Sequence, residues 1–197
     1  SLLLSLSMGQ DYSLSFDGDD DYVHGTSSSI LDASNTNQIT ISAWVNPSLL
    51  NIGSQRIFSH TGTDGSYLQQ YALNIGGEND IYFLCGTGEF EGNGGSNDGT
   101  NSLMLNEWSH VAMTYDSTAV RLYLNGVLDL EHFVTDNFPS DYTGEFHIGQ
   151  RADGAEKFNG KIDDIHIWNT PLTQEEIQSY MITPPTGDEA GLVGYWN

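Results

Sequence analysis

The chain has 197 residues, of which 27 are acidic and 5 basic, giving a formal net charge of −22. So little cationic surface excludes a protein that tracks nucleic-acid phosphates, and it makes an anionic membrane a poor partner. With 38% hydrophobic residues, no internal shift in composition and a single cysteine, Cys85, the chain is expected to bury one core without an intrachain disulfide.

The 22 glycines, 10 tyrosines and 8 phenylalanines fall in turn clusters and short alternating runs, which predicts an all-β antiparallel sandwich with little helix. At the amino end, Ser1-Leu-Leu-Leu-Ser-Leu-Ser-Met-Gly9 reads as the back of a signal peptide's apolar region. Residues 1–10 are therefore expected to be a signal remnant or a disordered end, and 11–197 a single domain. Phe16-Asp-Gly-Asp-Asp-Asp-Tyr-Val23 follows as a strand end running into an acidic turn, and Ile39-Thr-Ile-Ser-Ala-Trp-Val-Asn-Pro47 as an alternating strand.

The span from Gly86 to Ser102 is a long glycine-rich loop, of a kind that commonly carries function in a compact domain. After it, Val111, Met113 and Tyr115 alternate with polar or small neighbours, and Val120, Leu122 and Leu124 do the same. Asn125-Gly126 then separates this run from Val127–Phe133. Both residues tolerate the positive φ that a type I′ turn requires, so a β-hairpin is predicted. Gly160-Lys-Ile-Asp-Asp-Ile-His-Ile-Trp-Asn169 alternates again. Beyond it, Thr173 and Glu176 form a capping-box pattern with Leu172, Ile177 and Tyr180 as the apolar stripe, predicting a helix of about two turns. Gly191-Leu-Val-Gly-Tyr-Trp-Asn197 reads as a last strand after a Pro184-Pro linker, as in one module of a larger exported protein.

These segments, with Phe146-His-Ile-Gly149, come in the order found in laminin-G-like jelly rolls of the concanavalin A-like superfamily, the pentraxin-like branch especially. The chain resembles that family over roughly residues 12 to 182. The resemblance implies a concanavalin A-like β-sandwich (a jelly roll), and the signal-like amino end a secreted or cell-surface location. The resemblance also implies calcium held between an early and a late strand, here by Asp17, the Gly18 carbonyl and one or both of Asp163 and Asp164. Hard oxygen ligands suit that ion. The pentraxin loop that binds paired calcium is matched by Gly149, Gln150 and Asp153, but Arg151 stands where the family has an acid. A guanidinium there opposes a second cation and instead offers a fork for sugar hydroxyls, a uronate or a sulfate.

Carbohydrate sites combine a flat ring with short polar side chains, and three segments supply that mixture. They are Tyr67 in His60–Tyr71, Glu89, Phe90, Asn93 and Asp98 in the glycine-rich loop, and Arg151 with Asp153. Catalysis is not expected: Glu89 and Glu91 share a face but sit among glycines, and the Glu-x-Asp-x-x-Glu run of enzymatic relatives does not occur. The six histidines have no zinc spacing, and Trp44, Trp108 and Trp168 are expected to anchor the core. The resulting expectation is a non-catalytic, lectin-like module that binds a glycan, with structural calcium. A protein-binding module of a multidomain cell-surface adhesin is the alternative, and a glycoside hydrolase or polysaccharide lyase a third reading.

Overall fold

The computed structural model describes residues 13–26, 29–61, 69–85, 99–133, 138 and 144–197. Twelve strands and one helix are present in chain order: β1 (Leu14–Asp17), β2 (Val23–Thr26), β3 (Ile39–Pro47), β4 (Gln55–Thr61), β5 (Gln69–Ile75), β6 (Ile81–Cys85), β7 (Ser109–Tyr115), β8 (Ala119–Leu124), β9 (Val127–Phe133), β10 (Glu145–Ile148), β11 (Asn159–Trp168), α1 (Gln174–Ile182) and β12 (Leu192–Trp196). They form a seven-stranded antiparallel sheet, ordered β1-β11-β3-β7-β8-β9 with β12 also on β11, and a five-stranded sheet ordered β2-β10-β4-β5-β6.

Alternation decides which side chains meet between the sheets. Ile39, Ile41, Ala43 and Val45 of β3, and Val111, Met113 and Tyr115 of β7, face Phe58 of β4, Tyr71, Leu73 and Ile75 of β5, and Phe83 of β6, all nearly or wholly inaccessible to solvent. The predicted hairpin forms with Asn125 at φ 51° and Gly126 at φ 72°, as its turn requires. The preceding β7–β8 turn is held by Asp116, whose carboxylate accepts the amides of Thr118 and Ala119 and pairs with Arg121.

Strand β11 breaks its own alternation. Ile162, Ile165 and Ile167 all face the core, and the three-residue step is absorbed by a bulge between Asp163 and His166, with Asp164 at φ 45°. One edge of β11 then serves two partners: β1 pairs along residues 159–162, and β12 along 165–168. Trp196 of β12 reaches into the core against Phe146, with ring centroids 4.9 Å apart.

Helix α1 lies on the outer face of the seven-stranded sheet, where Ala112, Tyr123, Trp168, Leu172 and Ile177 make a second apolar cluster. Its capping box is complete: Thr173 Oγ1 accepts the Glu176 amide at 3.2 Å, and Glu176 Oε2 accepts the Thr173 amide at 2.8 Å. The three tryptophans do not share one role. Trp168 is buried under α1 rather than between the sheets, Trp44 is half-buried edge-on to His110, and Trp108 is exposed, because it precedes β7 instead of lying in it.

Gly160 on β11 marks the tightest approach of two strands. It pairs with Pro47 at φ 142°, and a Cβ there would sit 2.2 Å from the Asn46 carbonyl oxygen. Gly160→Ala is expected to cost about 3 kcal/mol or more, read as a drop in the urea midpoint at unchanged slope. Burial also holds three histidines neutral, His60 and His166 at about 4 and His110 at about 3, against an ordinary value of 6.5. Their contribution is intact above pH 6.5 and is lost as the pH falls toward 4, because the unfolded chain takes up the protons first. Urea unfolding at pH 7.5 and 4.5 should show a loss on the order of 2 kcal/mol for each of His60 and His166.

Candidate ligand-binding face

The predicted calcium set does not converge. Asp17 lies opposite Asn159 at one end of the β1–β11 pairing, whereas Asp163 lies beyond the other end, roughly 13 Å along the strand. Asp163 and Asp164 also occupy the bulge, and their side chains are engaged there: Asp163 Oδ1 accepts the Asp164 amide at 2.9 Å, and Asp164 Oδ1 accepts the Tyr195 hydroxyl at 3.0 Å. Asp17 instead gathers the acids of its own turn. Carboxylate oxygens of Asp17, Asp20 and Asp21 lie within 4.8 Å of one another, the one such group of three among the described residues. Amides of Asp19 at 2.7 Å and Asp20 at 3.2 Å donate to Asp17 Oδ1 and hold its pKa below the ordinary carboxylate value. Gly18, at φ 79°, turns the chain here against Asn159, and the Lys157 ammonium donates to the Asp19 carbonyl. Three hard oxygens on one turn suit a calcium ion better than a softer metal.

The Arg151 loop is closed on itself. Arg151 Nε and Nη2 grip Asp153 at 2.9 and 2.8 Å, and Nη1 donates to Glu156 Oε1 at 2.5 Å. The expectation that Arg151 and Asp153 offer free groups to a ligand is corrected by this fork: each neutralises the other. Glu156 also takes a bond of 2.6 Å from Nη2 of Arg56, a fully buried guanidinium on β4. Desolvation lowers the Arg56 pKa from its usual value, and Glu156 offsets part of that cost. Tyr67, Glu89, Phe90, Asn93 and Asp98 lie outside the described residues.

Arg56 belongs to a row of buried polar residues that the sequence did not single out. On the outer side of the five-stranded sheet, pairing aligns Arg56, Asn74 and Tyr82 across β4, β5 and β6, and His24, His147, Ser59, Ala72 and Leu84 across all five strands. Several buried polar atoms in these rows have no hydrogen-bond partner among the described residues: Arg56 Nε and Nη1, Asn74 Oδ1 and Nδ2, Ser59 Oγ and His147 Nδ1. His147 Nε2 lies 3.4 Å from Glu145 Oε2 without the alignment of a hydrogen bond. Each such orphan costs about 1–3 kcal/mol while unmet, so this face holds hydrogen-bonding capacity in reserve.

At the β2 edge the same face is open. Tyr22 is 48% exposed and His24 is exposed as well; their ring centroids are 5.6 Å apart, and His24 stacks on His147 at 5.9 Å. The edge rings follow from alternation: Tyr22, just before β2, and His24 and Thr26 within it are all exposed. Period-two patterning could have placed Tyr22, His24, Arg56, Ser59, Asn74 and His147 on one side of a sheet. Their burial and lack of partners had no sequence signal.

Comparison with known proteins agrees with this architecture. A candidate carbohydrate-binding protein of Bacteroides ovatus superposes with a TM-score of 0.64 at 22% identity, covering 82% of this chain and 45% of that one. A heptameric SAP-like pentraxin from Limulus polyphemus gives 0.64 at 18% identity, covering 81% and 76%. At these identities the likeness is one of fold. Mouse usherin is 26% identical over 84 residues, which span 38% of this chain and 2% of usherin; the chain thus spans under half of the Bacteroides protein and a small piece of usherin. The laminin-G family model matches residues 17–178, and the chain belongs to the concanavalin A-like lectin/glucanases superfamily.

Proposed function

We propose that this domain is an exported, non-catalytic module that binds a glycan on the outer face of its five-stranded sheet. The observation that carries the reading is the continuity of exposed rings, Tyr22 and His24, with buried donors and acceptors that lack partners on Ser59, Asn74 and Arg56. Sugars need both: a flat ring for the CH face and fixed polar groups for hydroxyls. The Bacteroides neighbour and the lectin members named in the superfamily support it, and the signal-like segment at the amino end supports export. Among the described residues no helix is long and apolar enough to cross a membrane. Single-site affinity is modest, and attachment to other domains supplies avidity.

The glycine-rich loop with Glu89, Phe90, Asn93 and Asp98, together with Tyr67, is proposed to add contacts to the same glycan. Calcium is proposed at Asp17, Asp20 and Asp21, next to Tyr22 in sequence, where it stiffens the turn that leads into β2. A protein-binding role is favoured by a different observation, the edge strand β9, with Val127 61% and Phe133 73% exposed.

A glycan microarray followed by calorimetry on the positive polymers tests the main reading. Tyr22→Ala and Asn74→Ala should each weaken binding about tenfold while leaving the urea midpoint of Tyr22→Ala near wild type. Binding to no glycan, with self-association that a Phe133→Asp change abolishes, supports the adhesion reading instead. For the metal, thermal melts should shift upward with free calcium and return with chelator, and Asp20→Asn should blunt the shift. A flat response removes the ion from the proposal.

A further inference from the structure

We infer that the face takes an uncharged glycan and rejects uronic-acid and sulfated polymers; this rests on the glycan-binding reading above and adds the class of ligand.

All five basic residues lie within the described structure. On the outer face of the five-stranded sheet the available cation is Arg56, and its charge is met by Glu156 at 2.6 Å. The adjoining Arg151 is held by Asp153 and Glu156. Two guanidiniums and two carboxylates thus leave no net charge with which to receive an anion. Arg121 belongs to the opposite sheet, paired with Asp116 and Glu131, and Lys161 is on β11 of that sheet. The Lys157 ammonium is directed to the Asp19 carbonyl.

The polar atoms of this row match hydroxyls. A guanidinium grips a carboxylate or sulfate through two parallel N–H groups, either Nε with Nη2 or Nη1 with Nη2. In Arg56 one Nη2 hydrogen is already given to Glu156, so one of those forks is taken by a carboxylate of the protein itself. Nε and Nη1 are left without partners among the described residues. Separate hydroxyls fit them. Asn74, across the strand pair from Arg56, offers one acceptor and one amide group without partners, again matching hydroxyls that both donate and accept.

Approach is equally selective. Acids stand at both ends of β2: Asp19, Asp20 and Asp21 precede Tyr22, and Glu145, 51% exposed at its side chain, lies opposite Thr26. Burial lowers the pKa of His147, so the imidazole beside Glu145 does not supply a compensating charge at neutral pH. An anionic chain meets repulsion at the entrance and no net positive charge inside.

The test is calorimetry of the intact chain against three polymer sets: neutral glucan, galactan and arabinan; polygalacturonate and alginate; and sulfated galactan. Each is run with chelator present, so that bound calcium cannot bridge an acid. The inference expects binding within the neutral set and at least about tenfold weaker binding to both acidic sets. Glu145→Gln, a change at the exposed rim, should narrow that gap while leaving neutral binding as it was. Equal or tighter binding to an acidic polymer in chelator overturns the inference and leaves the glycan reading standing. Binding to none of the three sets overturns both.

Discussion

The double use of one edge of β11 is the constraint on which the rest of the molecule depends. β11 joins β3 on one side, and on the other it completes its pairing with β1 and β12 in succession. The bulge at Asp163–His166 makes room for that handover and shifts the strand's phase, so that Ile162 and Ile165 both reach the core. Without the shift, alternation would send Ile165 and Ile167 outward and bring His166 into the apolar layer. Its cost is one residue, Asp164, at positive φ, stabilised by the Tyr195 hydroxyl on β12.

Electrostatics follows a related economy. A chain with 27 acids and 5 bases has no cation to spare, and its arginines are used as internal ties. Arg121 links the β7–β8 turn to β9 through Asp116 and Glu131, and Arg151 folds its own loop onto Asp153. Arg56 connects that loop to β4 from a fully buried position. A buried guanidinium with one ionic partner and two idle nitrogens is costly, and Glu156 offsets only part of that cost. The acids that these ties do not use, such as Asp19, Asp20, Glu78, Glu107 and Glu175, are exposed to water.

Much of the scaffold could be read from residue order. The Asn125-Gly126 turn, the Thr173–Glu176 cap and the inward set Val111, Met113 and Tyr115 are local signals, each decided within a few residues, and each is found in the structure. Trp108 was misplaced because a large aromatic beside a strand reads like one within it. Placing Asp17 with Asp163 failed for a longer-range reason: register, and the bulge that alters it, set their separation, although the three-residue step from Ile162 to Ile165 was a visible trace of that bulge. The Arg56–Asn74 row was hidden differently, since a polar residue at alternate positions normally signals a wet face and here marks a buried one.

The meeting of β1 and β12 on β11 has a mechanical corollary. Leu14 sits opposite Ile162 and Trp196 opposite Ile165, so the first and last strands meet on β11 about 10 Å apart. A pull applied between those two strands would be borne at this narrow junction, sparing the opposite sheet and the ring ladder on its outer surface.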